Sequence, residues 1–335
     1  MEQITSMLTC QEITLGYERQ EKALVSGLTL DFQPGHLVCL MGPNGVGKST
    51  FLRVLGGMQS PLSGNVYVGQ EGLEALSPQQ RARQLSMVFT SAFSPGPISV
   101  YALVSMGRYP YADWLGRLAK EDHEHIHQAL VMVDIMHLAE RKVQELSDGE
   151  RQKVMIARAL AQDTPYLLLD EPTAHLDLSN RLEIFRQLQK LSREQGKGII
   201  LATHQLDQAL QVADRMCLLT AVGSYHWGSP EDLVLGGQVE ATFGQKKLLF
   251  DADKGTFGLA HSPTQYITLE GEGLRATWTE KALIRRGLGV KAQQALKVVV
   301  KEAPPYWQLA GPTGEIACET VEHLLEEIAK QYPGR

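Results

Sequence analysis

The sequence predicts an α/β fold with a mostly parallel sheet, followed by a smaller α+β domain. Three apolar runs, at 37–41, 166–170 and 198–203, have the length and the flanking residues of buried strands. Segments with helical spacing lie between them, and this alternation is typical of parallel strands in one sheet. Past about residue 240 the pattern changes, which indicates a separate domain.

The composition is that of an ordinary globular protein. The 335 residues are 43% hydrophobic and 21% charged, with a formal net charge of −6. A protein that mainly binds nucleic-acid backbone normally needs a basic face, so this charge argues mildly against that class. The four cysteines form no Cys-x-x-Cys pair, which fits buried thiols in a reducing compartment. No signal peptide or membrane helix is evident, so we expect a soluble or peripheral protein.

The amino-terminal part is predicted to contain half-buried antiparallel strands. Residues 8–15 and 27–32 alternate apolar and polar side chains, which is the pattern of a strand with one face in the core. Residues from about 95 to 145 are mostly helical in pattern, for example at 121–136, and another helix is expected at 178–195.

The run at 37–41 leads directly into a complete Gly-x-x-x-x-Gly-Lys-Ser loop at 42–49, and the helical pattern of 50–55 follows. Glycines in such a loop let backbone N–H groups turn around an anion, and the helix dipole adds partial positive charge. Lys48 would reach the terminal phosphates, and the Ser49 hydroxyl would coordinate Mg²⁺. The sequence therefore predicts a nucleoside triphosphate site.

Two carboxylates, Asp170 and Glu171, stand at the carboxyl end of the buried strand 166–170. Phosphoryl transfer to water needs a carboxylate for the metal and a group that orients or deprotonates the nucleophile. Asp170 suits the first role and Glu171 the second. A solvated loop entry is the plain alternative for such a pair.

A second anion-binding helix start is predicted at Ser147. The segment 147–150, Ser-Asp-Gly-Glu, precedes a helical pattern at 151–160. Ser147 is expected to cap that helix, and its hydroxyl and the Gly149 amide could both contact an anion. One chain cannot obviously use two such starts on a single phosphate group, whereas two chains could close each other's sites.

With these motifs, residues 8–235 resemble an ABC transporter nucleotide-binding subunit. The resemblance implies a P-loop NTPase fold with an antiparallel β subdomain, a RecA-like parallel sheet core and a helical subdomain at about 95–160. The domains are then 1–244 and a small α+β domain at 245–335. The site residues that the resemblance implies are Gly42, Asn44, Gly45, Gly47, Lys48, Ser49 and Thr50 in the Walker A loop, Asp170 in Walker B, Glu171 as catalytic base, Ser147 and Gly149 in the signature, Asp177 in the D-loop, His204 as the switch histidine and Tyr17 stacked on adenine.

The same resemblance implies how the protein works. Two copies would form a head-to-tail dimer that sandwiches ATP and Mg²⁺ and drives a transmembrane permease, with a solute-binding protein as an indirect partner. The subunit would then lie peripherally on the cytoplasmic face of the inner membrane. The runs 81–85 and 106–111 resemble the subgroup that imports iron–siderophore, haem or cobalamin. The alternative is a non-transport ABC ATPase that acts on nucleic acid or the ribosome.

Three positions depart from the family pattern. Thr90 stands where the family has a glutamine, and it is the remaining candidate for a metal contact, although its side chain cannot span to Mg²⁺ and the attacking water as an amide can. Asp148 replaces a glycine of the signature and adds a charge near phosphates. His175 occupies a position where a small residue is commoner.

Two further predictions leave alternatives open. Tyr101, Tyr109, Tyr111 and Trp114 could form a patch that faces a partner or a core of the helical subdomain. The carboxyl-terminal domain could be regulatory or dimer-stabilising, or a passive packing extension. Its predicted strands are 266–269, 274–278 and 296–300, and its predicted helices are 279–287 and 319–331.

Overall fold

The computed structural model describes residues 7–17, 23–89, 96–174, 176–244, 248–260, 262–312 and 314–331. The chain divides into two compact units. The first comprises Met1–Gly244 and Phe250–Phe257, and the second comprises Gln245–Leu249 and Gly258–Arg335.

The strands and helices are numbered in chain order. The strands are β1 Leu8–Leu15, β2 Val25–Phe32, β3 Leu37–Met41, β4 Ser63–Val68, β5 Glu71–Gly72, β6 Leu85–Val88, β7 Tyr166–Asp170, β8 Gly198–Ala202, β9 Arg215–Leu219, β10 Tyr225–Gly228, β11 Leu248–Asp251, β12 Thr256–Leu259, β13 Gln265–Glu270, β14 Leu288–Val290, β15 Lys297–Val300, β16 Trp307–Gly311 and β17 Gly314–Cys318. The helices are α1 Lys48–Leu55, α2 Pro78–Gln84, α3 Val100–Ser105, α4 Lys120–Met132, α5 Asp148–Ala161, α6 Leu178–Gln195, α7 Leu206–Val212, α8 Pro230–Leu235, α9 Gln238–Phe243, α10 Gly273–Arg285 and α11 Val321–Gln331, with 3₁₀ helices at Met106–Tyr111, Met136–Leu138 and Val143–Glu145.

The first unit contains an antiparallel sheet with the strand order β2-β1-β4-β5. Burial largely alternates along β2, because one face of this sheet packs on the hydrophobic core. In β1 the alternation is interrupted, since Leu8, Thr9 and Cys10 are all buried and the pairing register shifts at Gln11 and Glu12. The alternation in the sequence predicted these two strands correctly.

The second sheet of this unit has the order β10-β9-β3-β8-β7-β6. Strand β3 pairs in parallel with β8 and β9, and β7 pairs in parallel with β8 and β6. Every residue of β3, β7 and β8 is buried, because both faces of the sheet are covered. The carboxyl ends of parallel strands meet at one edge, which is where the sequence places the loop at 42–49, the Asp170–Glu171 pair and His204.

A buried ion pair stabilises the helical part of the chain between β6 and β7. Arg108 Nε donates to Asp122 Oδ1 at 2.8 Å, and each side chain is only 6% exposed. Arg108 Nη1 also donates to the carbonyl oxygen of Ala161 at 2.8 Å, at the last residue of α5. Arg108 therefore holds together the 3₁₀ helix Met106–Tyr111, the start of α4 and the end of α5.

The four aromatic residues considered for a patch or a core do not form one cluster. Tyr111 is half-buried, and the guanidinium carbons of Arg83 and Arg108 lie 5.1 and 4.0 Å from its ring centroid. The Tyr101 hydroxyl is 2.6 Å from His123 Nδ1. Tyr109 and Trp114 are 61% and 89% exposed, so these two belong to no core.

The second unit forms a five-stranded mixed sheet with the order β14-β13-β15-β16-β17. Strand β13 is parallel to β14 and β15, whereas β16 is antiparallel to both of its neighbours. The strand predicted at 274–278 was wrong, because these residues lie in α10. The buried residues of α10, Ala276, Thr279, Ala282 and Leu283, recur with helical spacing, and small side chains among them hid the period.

Within the part of the chain that the structure describes, none of the helices combines the length and the hydropathy needed to span a bilayer.

Candidate nucleotide site

The loop at 42–49 leaves the amino terminus of α1 open to an external anion. Gly47, the residue before α1, has φ +113°, and no side chain caps the helix. The first turn of α1 contains no acidic residue. The N–H groups of this turn therefore have no side-chain acceptor of their own, which is the arrangement of a phosphate-binding helix start.

Glycine is required at the base of the loop. Gly42 has φ +147°, and a Cβ atom there would lie 2.3 Å from the carbonyl oxygen of Leu219. A Cβ atom at Gly45 would meet no atom of the described residues within 4 Å, although its φ of +77° still favours glycine. The sharp turn of the loop therefore depends most strongly on Gly42.

Lys48 is buried and is held by the loop itself. Its Nζ atom donates to the carbonyl oxygens of Gly42 at 2.9 Å and Pro43 at 3.1 Å. Burial lowers the pKa of this ammonium group, and the nearby Glu171 and Asp170 oppose that shift. The loop thus fixes a cation at the start of the helix before any nucleotide is considered.

Asp170, the last residue of β7, is also buried. Burial raises the pKa of its carboxyl group, while a hydrogen bond from the Ser49 side chain lowers it and the charge of Glu171 raises it further. A buried carboxylate beside a hydroxyl provides hard oxygen donors, which are the ligands that Mg²⁺ takes. The residues present therefore fit a magnesium ion.

Glu171 and His204 face each other across the ends of two neighbouring strands. Glu171 follows β7 with φ +49°, and its N–H donates to the carbonyl oxygen of Ala202 at 3.0 Å. The positive φ turns the carboxylate out of the strand direction, and non-glycine residues adopt this conformation rarely. Glu171 Oε1 lies 2.5 Å from His204 Nε2. The imidazole therefore fixes the orientation of the carboxylate.

These elements surround a cleft of about 190 Å³. The Tyr17 hydroxyl lies 3.0 Å from Thr50 Oγ1, so an aromatic ring closes one side of the cleft. The lining consists of Tyr17, Leu24, Asn44, Gly45, Gly47, Lys48, Ser49, Thr50, Glu171 and His204. Leu24 is the lining residue that sequence reasoning missed, because nothing distinguishes it from other apolar residues at the start of a strand.

Five of the predicted site residues that the structure describes are not among the residues that line this cleft. Two of them, Gly42 and Asp170, lie at the base of the loop and at the end of β7, and the other three lie at the starts of α5 and α6. Ser147 caps α5, and Asp177 caps α6 by accepting from the Asn180 N–H at 2.8 Å. Gly149 lies beside the D-loop segment, since a Cβ atom on it would be 3.2 Å from Leu176 Cδ2. The signature and the D-loop are therefore neighbours within one chain. Thr90 and His175 lie outside the described residues.

A further contact lies at the start of α5. The Glu150 carboxylate accepts hydrogen bonds from both the N–H and the hydroxyl of Ser147. A Ser-x-x-Glu pattern before a helix is the signal that could have predicted it.

Comparison with known proteins identifies the family. Residues 25–174 match the model of the ABC transporter family, and residues 264–329 match that of the iron ABC transporter C-terminal domain. The ferric enterobactin transport ATP-binding protein FepC of Escherichia coli is 35% identical over 251 residues, which are 75% of this chain and 92% of FepC. This chain is a member of the ABC transporter ATP-binding proteins.

Solved structures of this family share the fold. An inward-facing transporter assigned to the metal-chelate type has a TM-score of 0.63 at 28% identity and covers 76% of this chain and 95% of its own. The dimeric cassette MJ0796, solved in a post-hydrolysis state with ADP and Pi, has a TM-score of 0.59 at 27% identity, covering 67% and 98%. The P-loop ABC fold predicted from the sequence is confirmed.

Proposed function

We propose that this ABC protein hydrolyses ATP to energise an importer of iron–siderophore or a related metal chelate. The observation that carries the ATPase proposal is the position of Glu171. Its carboxylate lines the same cleft as Lys48 and the glycine loop, and His204 holds it at 2.5 Å. A carboxylate in that position is suited to take a proton from the attacking water.

The other residues have distinct roles in this proposal. Lys48 and the N–H groups of the loop bind the phosphates, and Tyr17 stacks on adenine. Ser49 and Asp170 hold Mg²⁺, which neutralises phosphate charge when bound. A second copy of the chain supplies Ser147, Gly149 and Asp177, because a single chain keeps these residues out of the cleft.

The transport proposal rests on two likenesses. FepC acts in ferric enterobactin transport, and the carboxyl-terminal region matches a domain model of iron ABC transporters. We infer that the partners are a membrane permease and, through it, a solute-binding protein, and that the subunit lies on the cytoplasmic face of the membrane. No observation favours the nucleic-acid or ribosome alternative.

Glu171→Gln tests the ATPase proposal. Because glutamine cannot take a proton, hydrolysis should fall at least about a hundredfold while ATP binding persists. Glu194→Gln, an exposed carboxylate at the end of α6, is the matched control and should leave both unchanged. Near-normal hydrolysis by the Glu171 variant would show that another group is the base.

A vesicle experiment tests the transport proposal. The chain is reconstituted with its permease, and ATP hydrolysis and uptake of a labelled ferric siderophore are measured together. We expect both to require the substrate-loaded binding protein. Hydrolysis stimulated by DNA or RNA, and not by the permease, would reject the transport role.

A further inference from the structure

The signature serine is engaged within its own chain. The Ser147 hydroxyl donates to Glu150 Oε2 at 2.7 Å, and the Ser147 N–H donates to the same oxygen at 2.8 Å. The Ser147 oxygen in turn accepts from the Glu150 N–H at 3.3 Å. A serine hydroxyl has a single proton, so in this arrangement it is already used.

The acceptor of that proton is an ionised group. The hydrogen bonds from the side chain and the backbone of Ser147 lower the pKa of the Glu150 carboxyl. The Glu150 side chain is therefore negatively charged at neutral pH. It accepts from the Ser147 hydroxyl, the group that in the proposed function contacts the nucleotide of the other copy. Hydrogen bonds to an ionised acceptor are stronger than those to a neutral amide.

Asp148, the other carboxylate of this turn, does not hydrogen-bond to Ser147 through its side chain. Asp148 is exposed and pairs with Arg151 at 3.1 Å, and Arg151 also donates to the carbonyl oxygen of Leu146. The hydrogen bonds of the Ser147 side chain involve Glu150 and not Asp148. The first turn of α5 thus contains two carboxylates of equal charge, Asp148 and Glu150, and only Glu150 accepts from the Ser147 hydroxyl.

We propose that Glu150 is a positioning residue that restrains closure of the dimer. This inference rests on the proposed function, in which Ser147 donates to a phosphate of the ATP held by the other copy. The hydrogen bond from the Ser147 hydroxyl to Glu150 must break before that hydroxyl can donate to the phosphate. The carboxylate of Glu150 then remains close to another anion. Both effects raise the ATP concentration that is needed to form the dimer.

Glu150→Gln separates the charge from the geometry. Glutamine keeps an oxygen that can accept from Ser147, so the capping box and the thermal stability of α5 should persist. It is a weaker competitor for the hydroxyl proton and carries no charge. We expect half-maximal dimerisation at an ATP concentration about three- to tenfold lower.

Sedimentation velocity measures this effect. The Glu171→Gln protein is titrated with MgATP, with and without Glu150→Gln, and the dimer fraction is recorded. Asp148→Asn in the same background is the matched control, because it removes one unit of charge from the same turn without touching Ser147. Its midpoint should shift less than that of Glu150→Gln, because Asp148 is paired with Arg151 and does not accept from the Ser147 hydroxyl. The KM for ATP of the Glu150→Gln chain with Glu171 intact should fall with the dimer midpoint.

The outcomes separate this inference from the function on which it rests. An unchanged or higher midpoint for Glu150→Gln overturns the inference alone, and so does an equal shift in Asp148→Asn, which would indicate general charge. If the Glu171→Gln protein remains monomeric at all MgATP concentrations, the proposed function fails and the inference fails with it.

Discussion

The cassette contains two helix starts assigned to the same nucleotide, and they are built in opposite ways. At α1 the preceding residue is Gly47, no side chain caps the helix, and the first turn has no acid. At α5 the cap is Ser147, and Asp148 and Glu150 occupy the first turn. The first start is open to an anion, whereas at the second the N–H groups of Ser147 and Glu150 already donate to side chains of the same turn.

This difference separates two tasks. The α1 start, with the buried Lys48, can bind phosphate in a single chain. In the proposed function the α5 start exchanges its internal Ser147–Glu150 contact for one to the nucleotide of the other copy, so it is suited to respond to nucleotide that is already bound. We therefore expect substitutions at α1 to abolish binding and substitutions at α5 to spare binding but impair pairing of two chains.

Lys48→Ala should have the largest effect. It removes the cation that Gly42 and Pro43 hold at the loop, so ATP affinity should fall about a hundredfold or more, as expected for loss of a charge-assisted contact in a buried site. Equilibrium binding of a fluorescent ATP analogue measures this. Lys190→Ala, an exposed residue of α6, is the control. Unchanged ATP binding by the Lys48 variant would show that the α1 start does not provide the phosphate site.

Asp122→Asn should have the next largest effect, a loss of stability that is confined to the helical region around α5. It leaves the Arg108 charge buried without its carboxylate, at a cost of about 3–5 kcal/mol. Because Arg108 also holds the carbonyl of Ala161, the helical region around α5 should unfold at lower denaturant concentration.

Hydrogen exchange resolved by segment checks this prediction. Protection should fall in α4 and α5 and remain in β3 and α1. Loss of protection that is uniform across both regions would show that the two helix starts do not belong to separable parts of the unit.

Ser147→Ala should have a smaller effect on stability and a specific effect on pairing. Loss of the cap costs about 1 kcal/mol, while single-chain ATP binding persists and ATP-dependent dimerisation is lost. Ser77→Ala is an unusually close control, because Ser77 forms the same capping box with Gln80 at α2. If both variants dimerise equally, the α5 start has no special role.

Removal of the carboxyl-terminal unit should have the smallest effect on ATP binding, provided that the truncated chain still contains the hairpin β11–β12. The rings of Phe250 and Phe257 lie 4.9 Å apart and pack on the core of the first unit. A chain ending at Ala260 should bind ATP normally, whereas one ending at Gly244 should be less stable in thermal unfolding. Equal stability of the two would contradict this role of the hairpin.

Sequence reasoning succeeded where the physical signal is local. The fully buried strands β3, β7 and β8 read as continuous apolar runs, and the glycine loop has a fixed spacing. The burial of Arg108 could not be predicted, since a charged residue is expected at the surface and its partner Asp122 is 14 positions away in sequence. The start of α10 was misread because alternation over five residues is a weak signal.

In the proposed dimer, the α5 start of one chain meets the α1 loop of another only when ATP is bound. Asn44→Cys and Asp148→Cys in the Glu171→Gln protein test it directly with a short bis-maleimide. The native cysteines do not interfere, since all four are buried and burial raises the pKa of each thiol. We expect a cross-linked dimer that needs both cysteines and MgATP, and none when Ser77→Cys replaces Asp148→Cys. Monomers alone in the presence of MgATP would contradict it.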